Sequence, residues 1–138
     1  MDYKYLISQA LEARRYAYAP YSHFRVGAAL LCADGRVFKG CNIENAAFSP
    51  SMCAERTAFA KAVSEGYDDF IAIAIVGAPT DNKETDFCSP CGVCRQMMSE
   101  FCQQDFQIIC AQTDETGEIL EQKVFTLSEM LPESFNLQ

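Results

Sequence analysis

Residues 70–78 read FIAIAIVGA, nine positions without a charged side chain. The run is too short to cross a bilayer and lacks the three-to-four spacing of an amphipathic helix. A short apolar run rich in Ile and Val is instead the mark of a strand covered on both faces. Such a strand needs cover on both faces of its sheet, and the order of the other elements shows what supplies it. A second run of the same kind, FQIICAQ at 106–112, predicts a further buried strand.

The remaining segments fill in the order. Between 2 and 18, Tyr3, Leu6, Ile7, Ala10, Leu11, Arg14 and Tyr18 fall near helical spacing before the turn-forming APYS. FRVGAALLCADGRVFKGCNIE, residues 24–44, reads as two β-rich runs joined at Asp34-Gly35, a favoured pair for a two-residue hairpin turn. A helix is predicted from about Cys53 to Ser64, and another in SPCGVCRQMMSEF (89–101), with Pro90 in its opening turn. TGEILEQKVF (116–125) predicts a last strand, and TLSEMLPESF (126–135) a short helix ended by Pro132. PTDNKETDF (79–87), polar and turn-rich, is expected to be the least ordered stretch. The predicted fold is therefore a three-layer α/β/α domain with a five-stranded mixed sheet, and 138 residues suffice for a single domain spanning 1–138.

Charge and cysteine content restrict the function. With 11 basic against 19 acidic residues and a net charge of −8, the chain would repel a polyphosphate backbone, which argues against nucleic acid as a partner. No apolar stretch is long enough for a membrane span, and the N-terminus lacks the basic-then-apolar layout of an export signal, so a soluble cytoplasmic protein is expected. Eight cysteines in that setting point to metal binding, catalysis or core packing rather than disulfides. Cys32, Cys41, Cys102 and Cys110 lie in or beside apolar segments and read as small core residues.

The other four carry chemistry. Cys91 and Cys94 fall at i and i+3 on one helix face, and Cys53 opens a different helix, so three soft ligands can converge. Three protein ligands leave the fourth tetrahedral position of zinc open, the catalytic arrangement, whereas a fourth thiolate from Cys88 or Cys32 would close a structural site. Glu55, two residues after Cys53, can stay outside the coordination sphere and exchange a proton with water, although a purely supporting carboxylate would occupy the same place. Three thiolates on one divalent ion leave a net negative charge; Arg56 and the positive ends of both helices would offset it. His23, the only histidine, falls in YSHF, away from these positions, and reads as a turn residue.

CAE at 53–55 followed by PCGVC at 90–94 resembles the zinc nucleoside deaminases. NIENAAFSPSMCAERTAFAKAVSEG (42–66), together with LPESF (131–135), resembles the small homotetrameric cytidine deaminases, and the likeness runs from YAPYSHFRVGAALL (18–31) to the C-terminus. The resemblance implies one zinc ion held by Cys53, Cys91 and Cys94, with Glu55 as the proton shuttle and Arg56 tempering the thiolate charge. It also implies that Asn42 and Glu44 hold the ribose hydroxyls, that Phe24 lies near the pyrimidine, and that the backbone of Ala54 hydrogen-bonds the base. Phe135 would reach the site of a neighbouring subunit in a homotetramer. The implied activity is hydrolytic deamination of cytidine and 2′-deoxycytidine to uridine and 2′-deoxyuridine with release of ammonia, a step of pyrimidine salvage.

Overall fold

In the computed structural model, which describes residues 3–135 and 137, the apolar run at 70–78 becomes the middle strand of five. The elements follow the predicted order: α1 (Lys4–Arg14), β1 (Phe24–Cys32), β2 (Val37–Cys41), α2 (Ala54–Ser64), β3 (Phe70–Pro79), α3 (Gly92–Phe101), β4 (Gln107–Thr113), β5 (Ile119–Thr126) and α4 (Leu127–Met130). Spatial order is β2-β1-β3-β4-β5. Only β3 and β4 run parallel, and α3 lies in the crossover that parallel strands require. The mixed α/β sheet predicted from the sequence is the one observed.

The two-residue period of the strands sorts the apolar side chains into two cores. Ala28, Leu30, Ile73, Ile75 and Ile108 face Phe59 of α2 and Met98 of α3. Ala29, Ala72, Ala74, Val76 and Ala111 face Leu6, Ile7 and Ala10 of α1 on the opposite side. Among the cysteines read as core residues, Cys32 and Cys110 are buried and Cys41 and Cys102 half-buried; all eight cysteines are free thiols.

Gly40 sets the height of α2 above the sheet. A β-carbon on it would stand 2.5 Å from the carbonyl oxygen of Ala54 and 2.5 Å from the backbone nitrogen of Ala58. No real contact is that short, and both atoms belong to a helix backbone that cannot swing aside. Gly40→Ala is therefore expected to cost about 3 kcal/mol, the upper end for overpacking. Urea denaturation should show a lower midpoint at an unchanged slope, and a wild-type midpoint would refute the close approach.

Three local expectations are revised. Four residues, 33–36, connect β1 to β2, and the closing bond leaves three of them, 33–35, in the turn: Cys32 N–H donates to the Arg36 carbonyl at 2.9 Å, and Gly35 N–H to the Cys32 carbonyl at 3.0 Å. Gly35 takes a φ of 96°, so the chain makes a tight turn closed by a left-handed glycine, and the turn does not consist of Asp34-Gly35 alone. Residues 79–87 are also pinned rather than loose at one end. Thr85 is buried, exchanges backbone hydrogen bonds with Thr113, and shares a hydroxyl contact of 2.8 Å with it. The first helix stops at Arg14 rather than running to residue 18, and its guanidinium donates to the carbonyls of Arg25, Ala78, Pro79 and Asn82 at 2.9–3.1 Å.

Candidate active site

The two helices on one face of the sheet begin next to each other, and each begins with a cysteine. Cys53 is the N-cap of α2 and Cys91 the N-cap of α3, both with extended backbone; Cys94 is the third residue of α3. Neither cap makes a side-chain hydrogen bond to its helix, so the positive ends of both helices bear on the sulfurs. The Sγ atoms of Cys53 and Cys91 lie 3.8 Å apart, and those of Cys91 and Cys94 3.4 Å apart. All three lie within 4.8 Å of one another. Tetrahedral zinc with Zn–S bonds of about 2.3 Å places its sulfurs about 3.8 Å apart, so the donor set fits that ion in both chemistry and spacing. Cys88 and Cys32, the two candidates for a fourth ligand, lie outside this group.

The thiols share their protons unevenly. Hydrogen bonding with Cys94 and, to a smaller extent, with Cys91 and Arg56, together with the Arg56 charge, pulls the Cys53 thiol down to about 5 against the opposing effect of burial. Cys94 is pushed upward by the same hydrogen bond and by desolvation. Arg56 is held in place by a 2.8 Å hydrogen bond from Nη2 to the Ser51 carbonyl, which leaves the same nitrogen 4.0 Å from the Cys53 sulfur.

Glu55 is the second residue of α2, and only 4% of it is exposed. Desolvation, with the charge of Cys53 added, pushes its carboxyl up to about 7. A carboxyl poised there can both take and give a proton at neutral pH.

These groups line one cavity of about 340 Å³, open to solvent. Of the residues expected from the sequence, Asn42, Glu44, Cys53, Ala54, Glu55, Arg56 and Cys91 contribute to its wall. Cys94 lies fully buried beneath them. Asn42 is oriented by β1: its Oδ1 accepts from Val26 N–H at 2.9 Å, and its Nδ2 donates to the Phe24 carbonyl at 2.9 Å. The Glu44 carboxylate accepts from the Ser22 hydroxyl and from the backbone N–H groups of Tyr21 and Ser22, which together hold its pKa below the ordinary value.

Two expected residues stand apart from the wall. Phe24 sits beside Cys88 against Gly77, and Phe135 is 68% exposed, its carbonyl accepting from Gln96 Nε2 at 3.0 Å. Val26, Phe48, Ser51, Met52 and Ser89 also line the cavity without having been expected there, and Cys88, weighed from the sequence as a fourth ligand, lines it as well. Strand alternation was a usable signal for Val26, which shares its parity with Phe24, Ala28 and Leu30.

Residues 1–110 match the family model described as the cytidine and deoxycytidylate deaminase zinc-binding region. The chain belongs to this deaminase family. All three cluster cysteines fall inside the matched region, and the cofactor is zinc. Among deaminases of known name, cytidine deaminase of Halalkalibacterium halodurans is 47% identical over 138 residues, covering 100% of this chain and 97% of that protein. Cytidine deaminase of Sporosarcina psychrophila is 47% identical over 136 residues, covering 99% and 93%. The crystal structure of cytidine deaminase from Burkholderia pseudomallei has a TM-score of 0.81 at 42% identity, covering 98% of this chain and 100% of that one.

Proposed function

We propose that this chain hydrolyses cytidine and 2′-deoxycytidine to the corresponding uridines and ammonia, as a single domain over 1–138 acting in pyrimidine salvage. The observation that carries the reading is the buried Glu55 carboxyl, which shares one cavity with the cysteine cluster at one side and with Asn42 and Glu44 at the other. When bound, zinc supplies a Lewis acid that makes water acidic enough to serve as a nucleophile near neutral pH. Glu55 accepts one proton that water gives up on adding to C4 and passes it to N3; it then takes the second, from the hydroxyl now on C4, and delivers it to the amine, which leaves as ammonia as the C4 carbonyl forms. Asn42 retains a second N–H and a second lone pair beyond its bonds to β1, and the Glu44 carboxylate has further acceptor capacity; the pair can share two neighbouring ribose hydroxyls. Arg56 and the two helix ends offset the thiolate charge, and the Ala54 backbone lies where it can hydrogen-bond the base.

The assembly is proposed to be a homotetramer whose sites are completed by neighbours. An exposed Phe135 that does not line the site cavity supports this, as does a nearly all-apolar groove of about 390 Å³ between α2 and α3 that shares Met52 and Arg56 with the site. A cytoplasmic location is part of the same reading, and among the described residues no helix is long and apolar enough to cross a membrane.

The test is the ultraviolet absorbance of cytidine incubated with the purified, zinc-loaded chain, run beside cytidine monophosphate. Loss of the cytosine band with the nucleoside is the expected result. An unchanged band with cytidine overturns the reading, and faster loss with the monophosphate reassigns the substrate to nucleotides.

A further inference from the structure

One part of the cavity wall takes no part in the proton chemistry or in holding ribose. A β-carbon on Gly77 would stand 3.0 Å from Cε1 of Phe24, 3.1 Å from Sγ of Cys88 and 3.2 Å from Cβ of Cys88. Both side chains therefore pack over the bare backbone of β3. Cys88 lines the cavity, as does Val26. Burial and the nearby Glu55 charge push the Cys88 thiol up to about 12, so it faces the cavity as a neutral, weakly polar group of methylene size.

Cytosine has one apolar edge. O2, N3, the exocyclic amine and the glycosidic bond take up the rest of the ring, leaving C5 and C6. With Glu55 serving N3 and the amine, and Asn42 and Glu44 taking the ribose, the apolar edge is left for the apolar wall, where no hydrogen-bonding group is stranded. We propose that Cys88, seated over Gly77 beside Phe24, determines specificity at the 5-position of the pyrimidine, its size setting whether a substituent there is admitted. This inference rests on the cytidine reading above.

The test compares kcat/KM for 5-methylcytidine and cytidine in zinc-loaded wild type, Cys88→Ala, Cys88→Leu and Gly77→Ala, with zinc content and circular dichroism as folding controls. Cys88→Ala removes one methylene-sized atom and Cys88→Leu adds two heavy atoms, and a single methylene in an apolar pocket already changes discrimination by about 10-fold or more. The ratio of 5-methylcytidine to cytidine should thus rise by about that factor in Cys88→Ala and fall by about as much in Cys88→Leu. Gly77→Ala leaves both side chains intact but displaces them by a few tenths of an ångström, and it should lower the ratio as Leu does. A ratio unchanged in the folded Cys88 variants, in an enzyme that deaminates cytidine, overturns this inference alone. A wild type inert toward cytidine overturns the cytidine reading and this inference with it.

Discussion

Glu55→Gln should lower kcat on cytidine by about 10,000-fold, the upper end for a positioned acid–base group, because the same carboxyl is asked to move more than one proton. Glutamine has nearly the same shape and fits the buried position, but its amide neither gives up nor accepts a proton near pH 7. The variant should keep its zinc, since Glu55 is not one of the three clustered ligands. It should also melt no lower than wild type, because an amide carries no charge to desolvate at a site where burial already pushes the carboxyl up to about 7. Turnover, metal analysis and a melting curve on one preparation check all three. Turnover within about tenfold of wild type would remove Glu55 from the proton path.

Removing a ligand should have a larger effect on the whole molecule. Cys94 is fully buried in the first turn of α3, and its sulfur completes the cluster with those of Cys53 and Cys91. With Cys94→Ala, two thiolates remain, too few for a tight tetrahedral site, and zinc content should fall from about one per chain to near zero, with activity at background. A metal that binds only the folded state at about 100 times its dissociation constant stabilises it by about 2.7 kcal/mol. At about 4 °C per kcal/mol for a chain of this size, the melting temperature should drop by about 10 °C. Chelator-stripped wild type should show a similar drop, reversed by added zinc. Cys88→Ala is the companion measurement: it should retain full zinc content, and loss of metal there would make Cys88 a ligand and the site a closed one.

Elements with a strong period were legible in the sequence. The runs at 70–78 and 106–112 were readable as buried strands, and cysteines at the starts of two helices as converging ligands because helix geometry fixes i, i+3 neighbours. What was not legible depended on contacts between distant positions. Asp34-Gly35 favours a two-residue turn in isolation, but the pairing of β1 with β2 places Cys32 opposite Arg36 and draws Ala33 into the loop. PTDNKETDF has the composition of a loose loop, and only the presence of Thr113 on a neighbouring strand shows that Thr85 is buried and bonded. Arg14 fell within a helical pattern, yet its side chain leaves the helix to hold the ends of β1 and β3. Cys88, grouped with Cys91 and Cys94 by spacing, sits before α3 begins, so it lines the cavity while the other two join the cluster. The roles of Phe24 and Phe135 came from resemblance, since an aromatic residue at a cavity edge or chain end has no periodic signature.

The central position of β3 has a consequence for the tempo of the molecule. Its backbone is bonded to β1 along one edge and to β4 along the other, and Ile73 to Val76 have no exposed surface. Amide protons there can exchange with deuterium only when the entire sheet comes apart, so their exchange rate reports the global unfolding free energy. β5, exposed over most of its length and bonded only to β4, can open separately and should exchange sooner. The backbone of Gly77, over which Cys88 is seated, thus belongs to the slowest part of the chain, and the bonds from Asp86 to Gly77 and between Thr85 and Thr113 tie the segment leading to Cys88 onto it.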